Sequence, residues 1–333
     1  MGAVFRAHDT TLDRIVAVKV LARAQAADEE MLRRFRNEAQ SAARLDHENI
    51  GRVHAVGSDR GWHYIVFEYI EGRNVRDLVR SDGPFAVGRA MDVVTQVADA
   101  LEHASERDVV HRDIKPSNIV ITPAGRARIV DMGLARLTPA AGDADLTASG
   151  MTLGTFDYIS PEQARDPRAA DVRSDLYSLG CTLFFMLTGR PPFAEGTMVQ
   201  KLLQHQQDPP PSITALRPDV PGGLATILAR LMAKDPVDRY QRPAVLVADL
   251  VACAEENGIE LASAVRVTPA VTTERPPAKS VLPWLLPVLG LLLIVAGMWL
   301  KAAADRRPAA VPVSPAATDA DRTEGDGAAA AGG

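Results

Sequence analysis

The stretch "HRDIKPSNIVI", His111 to Ile121, holds an aspartate, a lysine two residues later and an asparagine five residues later. Thirteen residues after Asn118 comes "VDMG", a second aspartate at the end of an apolar run and just before a glycine turn. An aspartate, an asparagine and a lysine around one reacting group provide a base, a hard oxygen ligand and a cation. Phosphoryl transfer needs those three parts, because its catalysis is mostly positioning and charge neutralisation. Asn118 and Asp131, aimed into one cleft, are two oxygen ligands suited to magnesium.

A further cation lies upstream. Lys19 sits inside "VAVKV", and a lysine among apolar strand residues is costly unless it is paired. Glu38, on the helix that follows, is the expected partner. His111 reads as a scaffold residue rather than a catalyst.

The elements that must position these residues can be read from periodicity. "RIVAVKVLA" (14–22) is a β-branched strand, and "EEMLRRFRNEAQSAARL" (29–45) puts Met31 or Leu32, Phe35, Ala39 and Ala42 on one helical face. "GRVHAVGSDRGWHYIVFEYI" (51–70) is a hairpin turning at Asp59, Arg60 and Gly61. From residue 85 the spacing of Ala90, Val93, Val94, Val97, Ala98 and Leu101 is helical. "SDLYSLGCTLFFMLTG" (174–189) is apolar nearly all round and predicts a buried central helix. A small β-rich lobe followed by a larger helical lobe is the predicted α+β architecture, with no internal repeat.

Composition bounds the rest. With 47% hydrophobic and 24% charged residues in 333, the chain can bury a sizeable core. A formal net charge of -5 argues against nucleic-acid binding. The 2 cysteines, Cys181 and Cys253, form neither a zinc pattern nor a disulfide framework and read as apolar fillers. Texture changes near residue 257: a Pro- and Thr-rich linker (257–280) leads to "VLPWLLPVLGLLLIVAGMWL", Val281 to Leu300, 20 residues without a charge. As a helix it would be about 30 Å long, the thickness of a bilayer core, with Trp284 and Trp299 near its ends. It is read as one transmembrane helix, and residues 301–333 as a disordered tail. Arg266, Arg275 and Lys279 before the span match Lys301, Arg306 and Arg307 after it, so flanking charge does not orient it.

Taken in order, Lys19, Glu38, "HRDIKPSN" and "DMG" resemble the catalytic domain of eukaryotic-type (Hanks-type) serine/threonine protein kinases. "GTFDYISPEQ" (154–163) resembles the family's substrate-binding loop and Ala-Pro-Glu element, with Ser160 in the alanine place; "DLYSLG" (175–180) and "KDPVDRY" (234–240) resemble further segments. The resemblance runs from Met1 to about Cys253 and implies a catalytic domain over 1–256 in the two-lobed protein kinase fold. Methionine replaces the usual phenylalanine of Asp-Phe-Gly, and is apolar and flexible enough to fill its site. The wording of "SPEQA", "GRPPF" and "DPVDRYQRP" is similar to bacterial membrane-anchored kinases.

Carried over residue by residue, the resemblance implies that Asp113 accepts or orients the substrate hydroxyl's proton and that Lys115 touches the γ-phosphate of ATP. It gives Asn118 and Asp131 to magnesium (or manganese), and has Lys19, paired with Glu38, grip the α- and β-phosphates. Adenine is expected between Val4 and Ala17 above and Val120 below, against the backbone carbonyl of Glu68 and the N–H of Ile70, with Phe67 as gatekeeper. Thr155 is expected to bond Asp113 or Lys115, Glu162 to pair with Arg239 in the large lobe, and Asp175 to accept N–H bonds from the catalytic loop.

"KPSN" and Thr155 are similar to kinases that phosphorylate serine or threonine in protein substrates. Thr147, Ser149 and Thr152 are the candidate regulatory phosphorylation sites, with Arg112 as a charge partner for a phosphate. Autophosphorylation in trans would use a homodimer. Because ATP is cytosolic, the reading is a single-pass cell-membrane protein with the catalytic domain inside and the tail outside. In the family a loop GxGxxGxV covers the phosphates; Gly2 stands at its third glycine and Val4 at its valine, so its first half is absent from the sequence. Met1 is therefore read as an internal methionine taken as a start, or else the loop is shortened. Two rivals follow: a membrane-anchored pseudokinase scaffold, favoured by the incomplete loop, and a small-molecule phosphotransferase, for which Lys115 and the Glu162/Arg239 pair have no purpose.

Overall fold

The computed structural model describes residues 3–131, 153–262 and 301. Contacts divide the chain into residues 1–266 and 267–333; the fold below belongs to the first unit, and of the second only Lys301 is described. Among the described residues no helix is long and apolar enough to cross a membrane. The expected span, 281–300, lies outside them, as do Gly2, Thr147, Ser149 and Thr152.

The small lobe is one antiparallel sheet. Its strands are β1 (Ala3–Asp9), β2 (Arg14–Leu21), β3 (Val53–Asp59) and β4 (Trp62–Glu68), in the order β1-β2-β4-β3. The β3–β4 turn has Arg60 and Gly61 both at positive φ, 47° and 80°, the backbone that matches the right-handed twist of a two-residue hairpin. After the short α1 (Arg23–Ala26), α2 (Glu29–Ala42) opens on Asp28, whose carboxylate accepts the N–H groups of Glu30 and Met31 at 2.8 and 3.3 Å. Glu29 and Glu30 in its first turn suit the positive end of the helix dipole. Leu21, Phe35, Ala39 and Ile65 close a small core between α2 and the sheet. Alternation puts Ala17 and Lys19 on the same side of β2 as Leu21, so the sheet face that meets α2 also carries the lysine.

The large lobe is helical. β5 (Arg73–Asn74) runs directly into α3 (Val75–Asp82), followed by α4 (Val87–Ser105), β6 (Ile119–Ile121) and β7 (Ala127–Ile129). The three strands form a small sheet in the order β5-β6-β7. Beyond them come α5 (Pro161–Arg165), α6 (Val172–Thr188), α7 (Met198–Gln207), α8 (Ile213–Leu216), α9 (Gly222–Leu231) and α10 (Pro243–Glu256). Every residue of α6 from Ser174 to Leu187 is buried, and α4, α9 and α10 pack around the same core. Gly180 allows a close approach: a Cβ there would lie 2.8 Å from the Cβ of Leu231. The lobe continues past residue 256, where the linker was expected to begin, because Ile259 and Leu261 pack against this core.

Candidate active site

The loop from His111 to Asn118 is held from below by α6. Asp175, in the first turn of that helix, accepts the backbone N–H of His111 at 2.8 Å and of Arg112 at 2.7 Å. Arg112 has φ 65°, a left-handed conformation costly for a side chain with a Cβ, and the paired carboxylate holds it there. Burial pushes the Asp175 carboxyl up to about 7, against the pull of those two N–H bonds. His111 is fully buried, which lowers its pKa to about 4, and its Nδ1 accepts the N–H of Asp113 at 3.2 Å. It is a neutral part of the scaffold at physiological pH.

Within that loop the chemistry-bearing side chains converge. Asn118 Nδ2 donates to the carbonyl and to Oδ2 of Asp113, both at 2.9 Å, and Lys115 Nζ lies 2.8 Å from the same Oδ2. The loop closes through Asn118 N–H to the Lys115 carbonyl, and Val130 N–H donates to the Asn118 carbonyl at 2.9 Å. That last bond ties the loop to the strand leading into Asp131. Asp131 has φ 63° and is ion-paired through Oδ1 with Lys19 Nζ, which reaches across from the small lobe. Desolvation in the cleft pushes the Asp131 carboxyl up, but Lys19 more than offsets this and leaves it below the ordinary carboxylate range.

The donor set fits a hard divalent cation. Two hydrogen bonds from its Nδ2 fix the Asn118 amide, whose Oδ1 accepts a long bond from Ser117 Oγ at 3.4 Å, and Lys19 meets Asp131 through Oδ1 rather than Oδ2. Oxygen ligands without sulfur or imidazole suit magnesium or manganese.

The other expected residues fall around the same cleft. Ala17 pairs with Phe67 and Val4 with Lys19 across the sheet, so all four lie on one face, with Val4 exposed. Glu68 ends β4, and Ile70 follows with its Cδ1 against Gly51. Gly72 passes over β6 so tightly that a Cβ would lie 2.3 Å from the Ile121 carbonyl and 2.9 Å from Val120 Cγ1. Val120 points away from buried Ile119 and Ile121. The side chains of Glu38 and Thr155 lie outside the described ones.

In the large lobe Arg239 and Glu162 meet in a two-pronged ion pair at 2.8 and 2.9 Å. Burial raises the Glu162 carboxyl, and Arg239 pulls it below its usual value. Three partners were not singled out from the sequence. Gln163 Nε2 donates to the Arg112 carbonyl at 3.1 Å and so joins α5 to the loop from His111 to Asn118. Lys201 lies 2.5 Å from Asp157, whose carboxyl burial raises while the lysine pulls it down. Arg128 binds Glu68 at 2.5 Å. Arg128 had a legible signal, a cation between apolar strand residues, which is the same pattern as Lys19.

A sequence profile of the protein kinase domain matches residues 1–250. The chain belongs to the protein kinase family. Its curated relatives place it with bacterial serine/threonine kinases of the Hanks type. It is 40% identical over 250 residues to serine/threonine-protein kinase PrkC of Bacillus subtilis, and 39% identical over 255 residues to PknB of Mycolicibacterium smegmatis. Each match covers 75% of this chain but only 38% and 40% of the relative, so the chain spans about two fifths of those proteins' length. Among solved structures, the Mycobacterium tuberculosis PknI kinase domain superposes with a TM-score of 0.59 at 30% identity, covering 76% of this chain and 92% of that one. The β-rich small lobe and helical large lobe are those of the protein kinase fold.

Proposed function

We propose that this kinase domain transfers the γ-phosphate of ATP to serine or threonine hydroxyls of protein substrates. The observation that carries the reading is the convergence on Asp113 Oδ2 of Asn118 and Lys115, in a loop whose backbone Asp175 holds. Asp113 is fixed where it can orient a hydroxyl and take its proton, and Lys115 beside it can meet the incoming phosphate charge. Lys19, now on Asp131, is the cation that can transfer to the α- and β-phosphates. Adenine fits against Glu68 and Ile70, between Val4, Ala17 and Val120, with Phe67 behind. Asn118 and Asp131 would hold magnesium or manganese, which when bound neutralises phosphate charge. Thr155 completes the substrate side in this reading.

The regulatory and cellular parts rest on sequence. Thr147, Ser149 or Thr152 would take a phosphate from a second copy in a homodimer, with Arg112 as its partner. Residues 281–300 would anchor the protein in the cell membrane, and the need for cytosolic ATP puts the catalytic domain inside and residues 301–333 outside.

The test is incubation of the purified chain with labelled ATP, magnesium and a generic protein acceptor such as casein, beside Asp113→Asn. Label on serine or threonine in the parent alone supports the reading. Equal labelling of both, or none in either, sinks it.

A further inference from the structure

Arg128 lies on β7 between Ala127 and Ile129, both buried, with its own side chain only 17% exposed. Its Nη2 donates to the Ile50 carbonyl at 3.0 Å and to Glu68 Oε2 at 2.5 Å. The same Glu68 oxygen accepts the N–H of Arg52 at 3.2 Å, and Glu68 N–H donates to the Arg52 carbonyl at 2.8 Å. The segment before β3 is fastened to β7 as well, by Gly51 N–H to the Ile129 carbonyl at 2.8 Å and Ile129 N–H to the Asn49 carbonyl at 2.7 Å. Three residues beyond Arg128 is Asp131, just past the end of β7, in a segment already tied to Asn118 through Val130. One guanidinium therefore joins the end of the small-lobe sheet to the strand that leads into a proposed metal ligand.

We propose that Arg128 is a positioning residue for the nucleotide. By holding Glu68 it sets the backbone groups of Glu68 and Ile70, at the purine end, at a fixed distance from Asn118 and Asp131, at the phosphate end. The inference rests on the kinase reading above. A nucleotide engages both ends at once, so slack between them costs binding before it costs chemistry. Without the guanidinium the Ile50 carbonyl loses this donor and the Glu68 carboxylate keeps the Arg52 N–H. The segment leading to Ile70 is then coupled to β7 only indirectly, through the Arg52 bonds and the Gly51–Ile129 backbone bonds.

The experiment uses the full chain and steady-state kinetics with ATP and casein. Arg128→Ala is expected to raise KM for ATP about tenfold, the scale of a coupling between two contacting groups, while kcat at saturating ATP and KM for casein stay within about twofold. Arg128→Lys, which keeps the charge but not the fork, should recover part of the ATP KM. In a double-mutant cycle, Glu68→Ala should raise KM to a similar extent and add nothing to Arg128→Ala, because its backbone groups survive the truncation. If Arg128→Ala folds poorly, Arg128→Lys and Glu68→Gln report the same coupling with less disturbance. An unchanged ATP KM, additive effects, or kcat and both KM values moving together would overturn the proposal and leave Arg128 a structural brace. A parent without ATP-dependent labelling would overturn the kinase reading and this inference with it; an active parent with indifferent variants overturns this inference alone.

Discussion

Two ion pairs, one in the cleft and one in the large lobe, use the same kind of charges for opposite ends. Arg239 is completely enclosed, and its guanidinium makes five hydrogen bonds: two to Glu162, and one each to the carbonyls of Ala233, Arg173 and Lys234, at 2.8 to 3.0 Å. The ring of Tyr177 lies 4.8 Å from it, and Ser174 donates a further bond to Glu162. An arginine has five N–H groups, so none is left over. Lys19 and Asp131 are joined through one carboxylate oxygen, with Asp131 nearly half-exposed at 45%. A closed pair with every donor filled can only hold. A partly exposed pair, in which Lys19 meets Oδ1 and no bond to Oδ2 is seen among the described residues, can exchange partners, as the proposed function would require.

The largest expected effect sharpens this contrast from the cleft side. Asp113→Asn should cut phosphotransfer by about a thousandfold, within the range for a positioned acid–base group, with the melting temperature unchanged. Initial rates and thermal melts on one preparation decide it. Equal losses in both would make Asp113 a structural residue and break the comparison.

Arg239→Ala should reverse that signature. Leaving Glu162 buried without its cation is expected to lower the unfolding free energy by about 3–5 kcal/mol. Urea titration would show it, and Arg239→Lys should recover little, because an ammonium cannot reproduce the fork. A loss under about 1 kcal/mol would place this pair with exposed ones.

Lys19→Met should change stability by no more than about 1 kcal/mol, as for a partly exposed pair, but weaken ATP binding by about tenfold to a hundredfold. Calorimetry of binding beside urea titration separates the two. A stability loss as large as that of Arg239→Ala would remove the distinction.

The smallest effect concerns pH near the large-lobe pair. His205 is buried, its Nδ1 lies 2.9 Å from the Tyr177 hydroxyl, and burial with Lys234 nearby lowers its pKa to about 3. Its ordinary value is 6.5, so between about pH 6.5 and 3 the unfolded chain takes up a proton that the folded chain refuses. Stability from this group is therefore present above 6.5 and is lost as pH falls, by about 1.4 kcal/mol per pH unit. His205→Gln should flatten the acid dependence of urea unfolding relative to the parent by that slope between pH 6 and pH 5. Parallel curves would mean that His205 charges inside the fold.

Much of the site was legible because it is local. Asp113, Lys115 and Asn118 share one short loop, and their bonds close within five residues. The β3–β4 hairpin and the buried α6 followed from a turn signal and an apolar surface. Partners distant in sequence were harder. For Lys19 the sequence named Glu38, whose side chain lies outside the described ones; it held no sign of the pairing with Asp131, 112 residues away, that the structure shows. Arg128 and Glu68, 60 residues apart, and Lys201 and Asp157, 44 apart, have no local spacing to announce them.

The sequence by itself determined which residue types could do chemistry, because a carboxylate, an amide and an ammonium keep their protonation and ligand habits in any fold. It also determined the strands and helices whose apolar period is strong. Only the tertiary structure decided which charges are closed and which are open. By sequence Lys19 sits among apolar residues and Arg239 among polar ones, but α6 and the carbonyls of Ala233 and Lys234 enclose the arginine, while the lysine lies at the junction of two lobes. Enclosure depends on what the rest of the chain packs around a group, and no short stretch of residues carries that information.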